Sequence, residues 1–277
     1  MAPRRAGGGQ HERDWRLACA QRVRDGHSAV ALSATTPGVA HMFALLSFAR
    51  VNAACCLLLA LCSTGCAAGN EYNYRGVHLP HPFDGTGKLA IAVHDQRPDV
   101  IEDSCSPDVV GVQRSAIGIP WDVTTESGHA LAEDWGAVVG SALRRGGFST
   151  TVVKTSPHEP WHAVLRRLQA TGAQSLLLFS VYEWRSDSYQ DVTLHYDVVL
   201  GVFSPAGSLV AATRSTGEDD LGGMTLDITS FAEKEVPAAF QRKLEWMLGA
   251  LKVVTAVQRA AGRPLKPRAP APSDLES

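Results

Sequence analysis

The chain is poor in several features that announce a function. It has no excess of basic charge, with 26 Lys and Arg against 28 Asp and Glu, so it lacks the cationic stripe of a nucleic-acid binder. It has no glycine-rich loop of the kind that cradles phosphate. Cysteine is scarce where a fold would need it. Of six cysteines, Cys19, Cys55, Cys56, Cys62 and Cys66 precede position 67, and Cys105 stands alone in the remainder. A disulfide framework needs pairs, so the part after Cys66 is expected to rest on an apolar core. Cys105 itself reads as a single thiol, buried or in a quiet loop.

The charge is unevenly spread. Seven of the basic residues and three of the acidic ones precede Cys66, leaving the rest with a net charge of −6. A basic leader before an acidic body suits export of the body. From Met42 the chain reads MFALLSFARVNAACCLLLALCSTGC, with Arg50, an apolar run over residues 53–62, and then Ser63, Thr64, Gly65 and Cys66. A charged start, an apolar stretch and small residues before a cut define a secretory signal. The competing reading is an uncleaved membrane helix over residues 42–62, long enough to span at about 20 residues and preceded by an Arg-rich flank. Residues 1–41 are rich in Arg, Ala and Gly, show no apolar period, and read as a non-native or disordered leader with Met42 the true start.

The segment 42–65 resembles a lipoprotein signal peptide. That likeness implies cleavage between Gly65 and Cys66, a diacylglyceryl group on the Cys66 sulfur, and a further acyl chain on its new amine. Ser63 departs from the pattern, which favours Leu there. Each buried methylene contributes roughly 0.8 kcal/mol, and one chain alone holds only marginally, whereas three hold the protein on the bilayer. Ala67 follows the cysteine where Asp would retain a lipoprotein in the inner membrane of enteric bacteria. By resemblance to that sorting, the expected place is the outer membrane, facing the periplasm.

Residues 66–87 carry Gly, Asn, His and Pro without apolar periodicity and read as a tether, spanning roughly 25 Å if flexible. The body is expected over residues 88–256. Residues 88–93 form a continuous apolar strand, and residues 109–119 a second. Leu131, Trp135, Val138, Val139 and Ala142 recur at helical spacing, stopped at Gly146 and Gly147 with Phe148 placed for a hydrophobic contact. Residues 150–154 form a short strand. Trp161, Val164, Leu165 and Leu168 mark a second helix, and residues 175–184 a long strand. Val192, Leu194, Tyr196, Val198, Leu200 and Val202 alternate on one strand face, and residues 204–207 turn into a partner strand over 208–215. Ser230 and Glu233 suggest a capping box for a last helix bearing Phe240, Leu244, Met247, Leu248 and Leu251. Residues 257–277 are rich in Pro and Ala and read as disordered. The order is β-β-α-β-α-β-β-β-α: one α+β domain, a mixed sheet with packed helices.

The strand ending in Asp95, Gln96 and Arg97, the helix closing on Arg145, Gly146, Gly147 and Phe148, the long strand near Leu176 and the hairpin from Tyr196 to Ala212 resemble, in that order, the YajG family of bacterial lipoproteins. The resemblance covers roughly residues 67–255. It implies location and fold rather than chemistry.

Several constellations invite a catalytic reading. His158, Glu159 and His162 match H-E-x-x-H, in which two His on one helix face hold zinc. Pro160 suits a first helical turn and not an interior, so His158 is expected outside the helix and no zinc site is expected. Asp95 and Arg97 suit a structural pair closing a turn better than an anion site. Ser186, Ser188, His195 and Asp197 lack a nucleophile-elbow sequence. Glu218, Asp219 and Asp220 read as a solvated acidic loop, and His78 and His81 as solvated. No enzyme, cofactor or nucleic-acid role is expected. The function expected is that of a non-enzymatic accessory or structural protein of the cell envelope, held to the membrane by its lipid and working through a protein partner. A ligand-binding lipoprotein with a pocket under the sheet, rimmed by an exposed stretch from Trp184 to Tyr189, is the alternative. A zinc-dependent hydrolase is the weaker one.

Overall fold

The computed structural model describes residues 70–115, 117–223 and 227–261. The expected leader, the expected cleavage between Gly65 and Cys66, and the chain beyond 261 lie outside them. The described residues form eight strands and five helices in one α+β domain. The strands are β1 (Glu71–Tyr72), β2 (Lys88–Asp95), β3 (Val109–Arg114), β4 (Pro120–Thr125), β5 (Ser149–Val153), β6 (Ser175–Ser188), β7 (Val192–Phe203) and β8 (Leu209–Asp220). The helices are α1 (Pro98–Ile101), α2 (Leu131–Arg145), α3 (Trp161–Ala170), α4 (Ile228–Gly249) and α5 (Leu251–Ala261). The sheet is mixed. It runs β1-β4-β3-β6-β2-β5, with β7 and β8 added as an antiparallel extension from β6.

β2, β5 and β6 are parallel neighbours, joined through α2 and α3. Parallel strands need such crossovers, and both faces are then covered. β2 is accordingly buried from Leu89 to Asp95. β7 carries the expected alternation, with Val192, Leu194, Tyr196, Val198, Leu200 and Val202 all buried on one face. On β6 the matching residues are Leu177, Phe179, Val181, Trp184, Ser186 and Ser188. A bulge between Val181 and Glu183 lets Val181 and Trp184 face the same way although three positions separate them. Trp184, Trp135, Phe240 and Tyr74 meet edge to face at centroid distances of 4.9–6.4 Å.

Several expectations need correction. The supposed tether is packed from residue 70 onward. Tyr72, Tyr74, Leu79 and Phe83 are buried, the Trp184 indole Nε1 donates to the Tyr74 hydroxyl at 2.9 Å, and Tyr72 and Ser186 share a hydrogen bond of 2.9 Å. The helix stop at Gly146 and Gly147 makes room for this segment. A Cβ on Gly146 would lie 2.6 Å from the Phe83 carbonyl oxygen, and one on Gly147 2.6 Å from that of Gly85. Phe148 makes its contact there, with Phe83, at 5.6 Å. Residues 109–119 are not one strand but the first arm of the β3–β4 hairpin. The last helix is capped by Asp227, whose side chain accepts from the Ser230 amide at 3.0 Å, not by Ser230. It breaks at Ala250, and α5 continues the body past 256 with Val257 buried. Leu251 is 78% exposed. Trp184 is buried, so it rims nothing. Glu218, Asp219 and Asp220 belong to β8. Cys105 is buried beside Val109 and Val112 and is disulfide-bonded. The body was expected to hold no disulfide, and this bond corrects that reading.

Candidate functional site

The carboxyl ends of β2 and β5 form a concavity, as is usual in sheets with parallel strands. A cleft of about 540 Å³ opens there, lined by Val93 and Asp95 from β2, Val152 and Thr155 at the end of β5, Ala132 from the first turn of α2, and Arg75. α2 comes close to β5 because Gly136 and Gly140, one turn apart, face it. A Cβ on either would lie 2.9 Å from a Val152 methyl.

The polar groups of the cleft are engaged with one another. Arg75 Nε donates to Asp134 Oδ1 at 2.6 Å, and the Ser127 hydroxyl donates to the other oxygen at 2.7 Å. Lys154 pairs with Glu133 at 3.0 Å. The Thr155 hydroxyl donates to the Val93 carbonyl at 2.5 Å. Below the cleft lies the Asp95–Arg97 pair, each residue no more than 3% exposed. Arg97 Nε donates to Asp95 Oδ1 at 2.9 Å and Nη2 to Oδ2 at 2.7 Å, a bidentate pair. Its remaining donors reach the Val109 carbonyl at 2.6 Å and the Pro107 carbonyl at 3.0 Å. Burial alone would depress the Arg97 guanidinium, and Asp95 more than offsets it, so its pKa is raised. The pair thus clamps the end of β2 to the chain entering β3.

His94 points to the opposite face of β2, where its Nε2 meets the Gln96 side chain at 2.9 Å. Burial lowers its pKa below the ordinary 6.5. The Tyr72 hydroxyl is pushed up to about 12, by burial above all.

The other sequence constellations do not assemble. α3 begins at Trp161 with Pro160 at its N-cap, so His158 and Glu159 precede the helix. His158 faces Asp103 at 3.1 Å, Glu159 faces Arg167 at 2.9 Å, and His162 is exposed on the helix. Ser186 lies on the sheet face opposite His195, which stands across from Arg185 and pairs with Glu218 at 3.3 Å. Asp197 is held by Arg214, and Asp219 pairs with Lys243 at 2.6 Å. His81 pairs with Asp84 at 3.0 Å. Among the described residues no group of three or more His, Cys, Asp or Glu is placed to hold a metal, and no helix is long and apolar enough to cross a membrane. Cys66 lies outside the described residues.

The Arg75–Asp134 pair was not anticipated. Its signal was present on one side: Asp134 falls three residues after Leu131 and beside Trp135, an acid on the apolar stripe of α2, and it is fully buried.

No family model and no curated protein matches the chain. Solved structures do. Protein XCC0632 from Xanthomonas campestris, of family DUF330, is 11% identical with a TM-score of 0.38, the match covering 70% of this chain and 96% of that one. A PelC dodecamer subunit from Paraburkholderia phytofirmans is 12% identical at a TM-score of 0.30, covering 60% and 93%. Lipoprotein GNA1162 from Neisseria meningitidis is 15% identical at 0.25, covering 58% and 98%. Likenesses this distant assign no chemistry.

Proposed function

We propose that the chain is a lipid-anchored accessory protein of the bacterial cell envelope that acts without catalysis, through contacts with a protein partner. One observation carries the reading. Cys66, preceded by Gly65 at the end of a charged-then-apolar leader, stands only four residues ahead of Asn70, the first of the described residues. A cut before Cys66 leaves every described residue in the mature body, with the modified cysteine close to its start. Ala67 in second position supports the outer membrane, periplasmic side. In support of a non-catalytic role, the ionic groups of the cleft and of the pair beneath it are bound to one another.

Intact-mass analysis of the mature product from a bacterial host tests this. The expected species begins at Cys66 and carries added acyl mass, and Cys66→Ser leaves the membrane fraction. Retention of residues 42–65, or a Cys66 sulfur joined to Cys105 instead of carrying a diacylglyceryl thioether, overturns the reading.

The cleft favours a second reading, a ligand-binding lipoprotein. Arg75 stands at its wall with 43% of its side chain exposed, able to meet a small acidic ligand. A compound retained in native mass spectra of the purified protein, and lost in Ala137→Trp, which fills the cleft, would establish that reading over the first.

A further inference from the structure

The described part of the chain starts at Asn70, whose carbonyl accepts from the Thr124 amide at 3.0 Å. β1 then runs parallel to β4, with Glu71 opposite Thr124 and Tyr72 opposite Thr125. The start of β1 therefore lies toward the beginning of β4. Four Cα steps separate Asn70 from Cys66, a reach of at most about 15 Å. The beginning of β4 is Pro120, and just before it lies the β3–β4 hairpin tip, closed by the Ser115 amide donating to the Ile119 carbonyl at 2.9 Å.

This tip carries the most concentrated run of exposed large apolar side chains in the body. Ile117 is 81% exposed, Ile119 49% and Trp121 52%, at alternate positions. Ile117 lies in the turn, Ile119 follows it and Trp121 lies in the first residues of β4, so all three stand within five positions at the exposed end of the hairpin. Isolated exposed apolar residues are ordinary, whereas a contiguous patch marks an interaction site. A Trp with its indole N–H at the edge of an apolar patch suits the boundary between headgroups and acyl chains.

We infer that the β3–β4 hairpin tip, through Ile117, Ile119 and Trp121, dips into the bilayer surface beside the acylated Cys66 and fixes the orientation of the body. The inference rests on the anchoring reading above and adds a second membrane contact to it. Three acyl chains already hold the protein, so the tip contributes orientation rather than residence. Ser188 and Val192, the adjoining ends of β6 and β7, lie at the tip end of the sheet through the β3–β6 pairing. The turn at residues 204–207 lies at the far end of β7, about 40 Å away for a strand of twelve residues. The contact therefore points that turn away from the membrane.

The test uses the intact lipoprotein reconstituted into vesicles of phosphatidylethanolamine and phosphatidylglycerol with brominated acyl chains, which quench a Trp that reaches them. Flotation with the vesicles reports the anchor; quenching reports the tip. The parent protein is expected to float and to show quenching that Trp121→Phe removes, while Trp161→Phe and Trp246→Phe retain it. Ile117→Asp with Ile119→Asp is expected to float and to lose most of the quenching. Flotation with quenching unchanged in Trp121→Phe overturns the hairpin contact alone. Failure of the parent to float overturns the anchor beneath it. Unaltered quenching together with a fall from oligomer to monomer in the double Asp variant makes the tip an interface between copies, and also overturns the inference.

Discussion

On one face of the sheet, α2, α4 and α5 bury Trp135, Trp184, Tyr74 and Phe240 against one another, with the alternate residues of β7 beneath them. On the other face α3 alone covers Ala90, Ala92, Leu176 and Leu178, and beyond its reach the strands present Arg185, His195, Asp197 and Arg214. The same strands serve both. β6 and β7 send Trp184 and Tyr196 inward and Glu183 and Asp197 outward. Cohesion is thus concentrated on the aromatic face, and the polar face is held by cross-strand ion pairs in contact with water. Such pairs contribute little, so the face they occupy can change with small cost to the fold.

This asymmetry can be broken in order of expected effect. Arg97→Ala, which strands a buried carboxylate, should cost about 3–5 kcal/mol in urea unfolding. Replacing both partners, Asp95→Leu with Arg97→Met, should cost less than the single change. Phe240→Ala on the aromatic face should also cost about 3–5 kcal/mol, and Leu168→Ala under α3 about 2–3 kcal/mol. Equal losses at Phe240 and Leu168 would remove the contrast between the faces. Acid provides a third probe. His94 is held neutral by burial, its folded pKa below 6.5. The unfolded chain then binds the proton first, so stability is full above about 6.5 and falls as pH drops from there to the folded value. A urea midpoint measured against pH should show this decline, and His94→Gln should flatten it. His195 is shifted in the same direction, by burial and then by Arg185, and adds to the decline. Last, Arg214→Ala, which removes the exposed pair with Asp197, should leave the urea midpoint where it was.

What the sequence disclosed depended on the range of the interaction. The alternation of β7, the stripe of α2 and its glycine stop are local patterns, and each lies where the periodicity puts it. Segments without a period were missed. Tyr72 and Tyr74 are buried by contacts with Ser186 and Trp184, more than a hundred residues away, and nothing near them in the chain signals it. The β3–β4 turn was hidden because Gly118 sits between Ile117 and Ile119, which read as strand. The break at Ala250 follows Gly249, a stop that the apolar stripe running on to Leu251 concealed, and Pro237 lies inside α4 without ending it. At the candidate site, Asp95 and Arg97 were legible because two positions separate them. Arg75 and Asp134, 59 positions apart, were not.

The single extra residue in β6 has a larger reach than its size suggests. Because side chains on an extended chain point alternately up and down, Tyr182 acts as a parity bit for everything that follows it before the next turn. Were the strand paired without the bulge, with Tyr182 taking a partner of its own, Trp184, Ser186 and Ser188 would exchange sides with Glu183, Arg185 and Asp187, placing two acids and a guanidinium against Phe240 and Trp135. Deletion of Tyr182 keeps Glu183 opposite Asp197 and Trp184 opposite Tyr196, so the strand should tolerate loss of this one residue, whereas loss of any single neighbour turns the rest of the strand over.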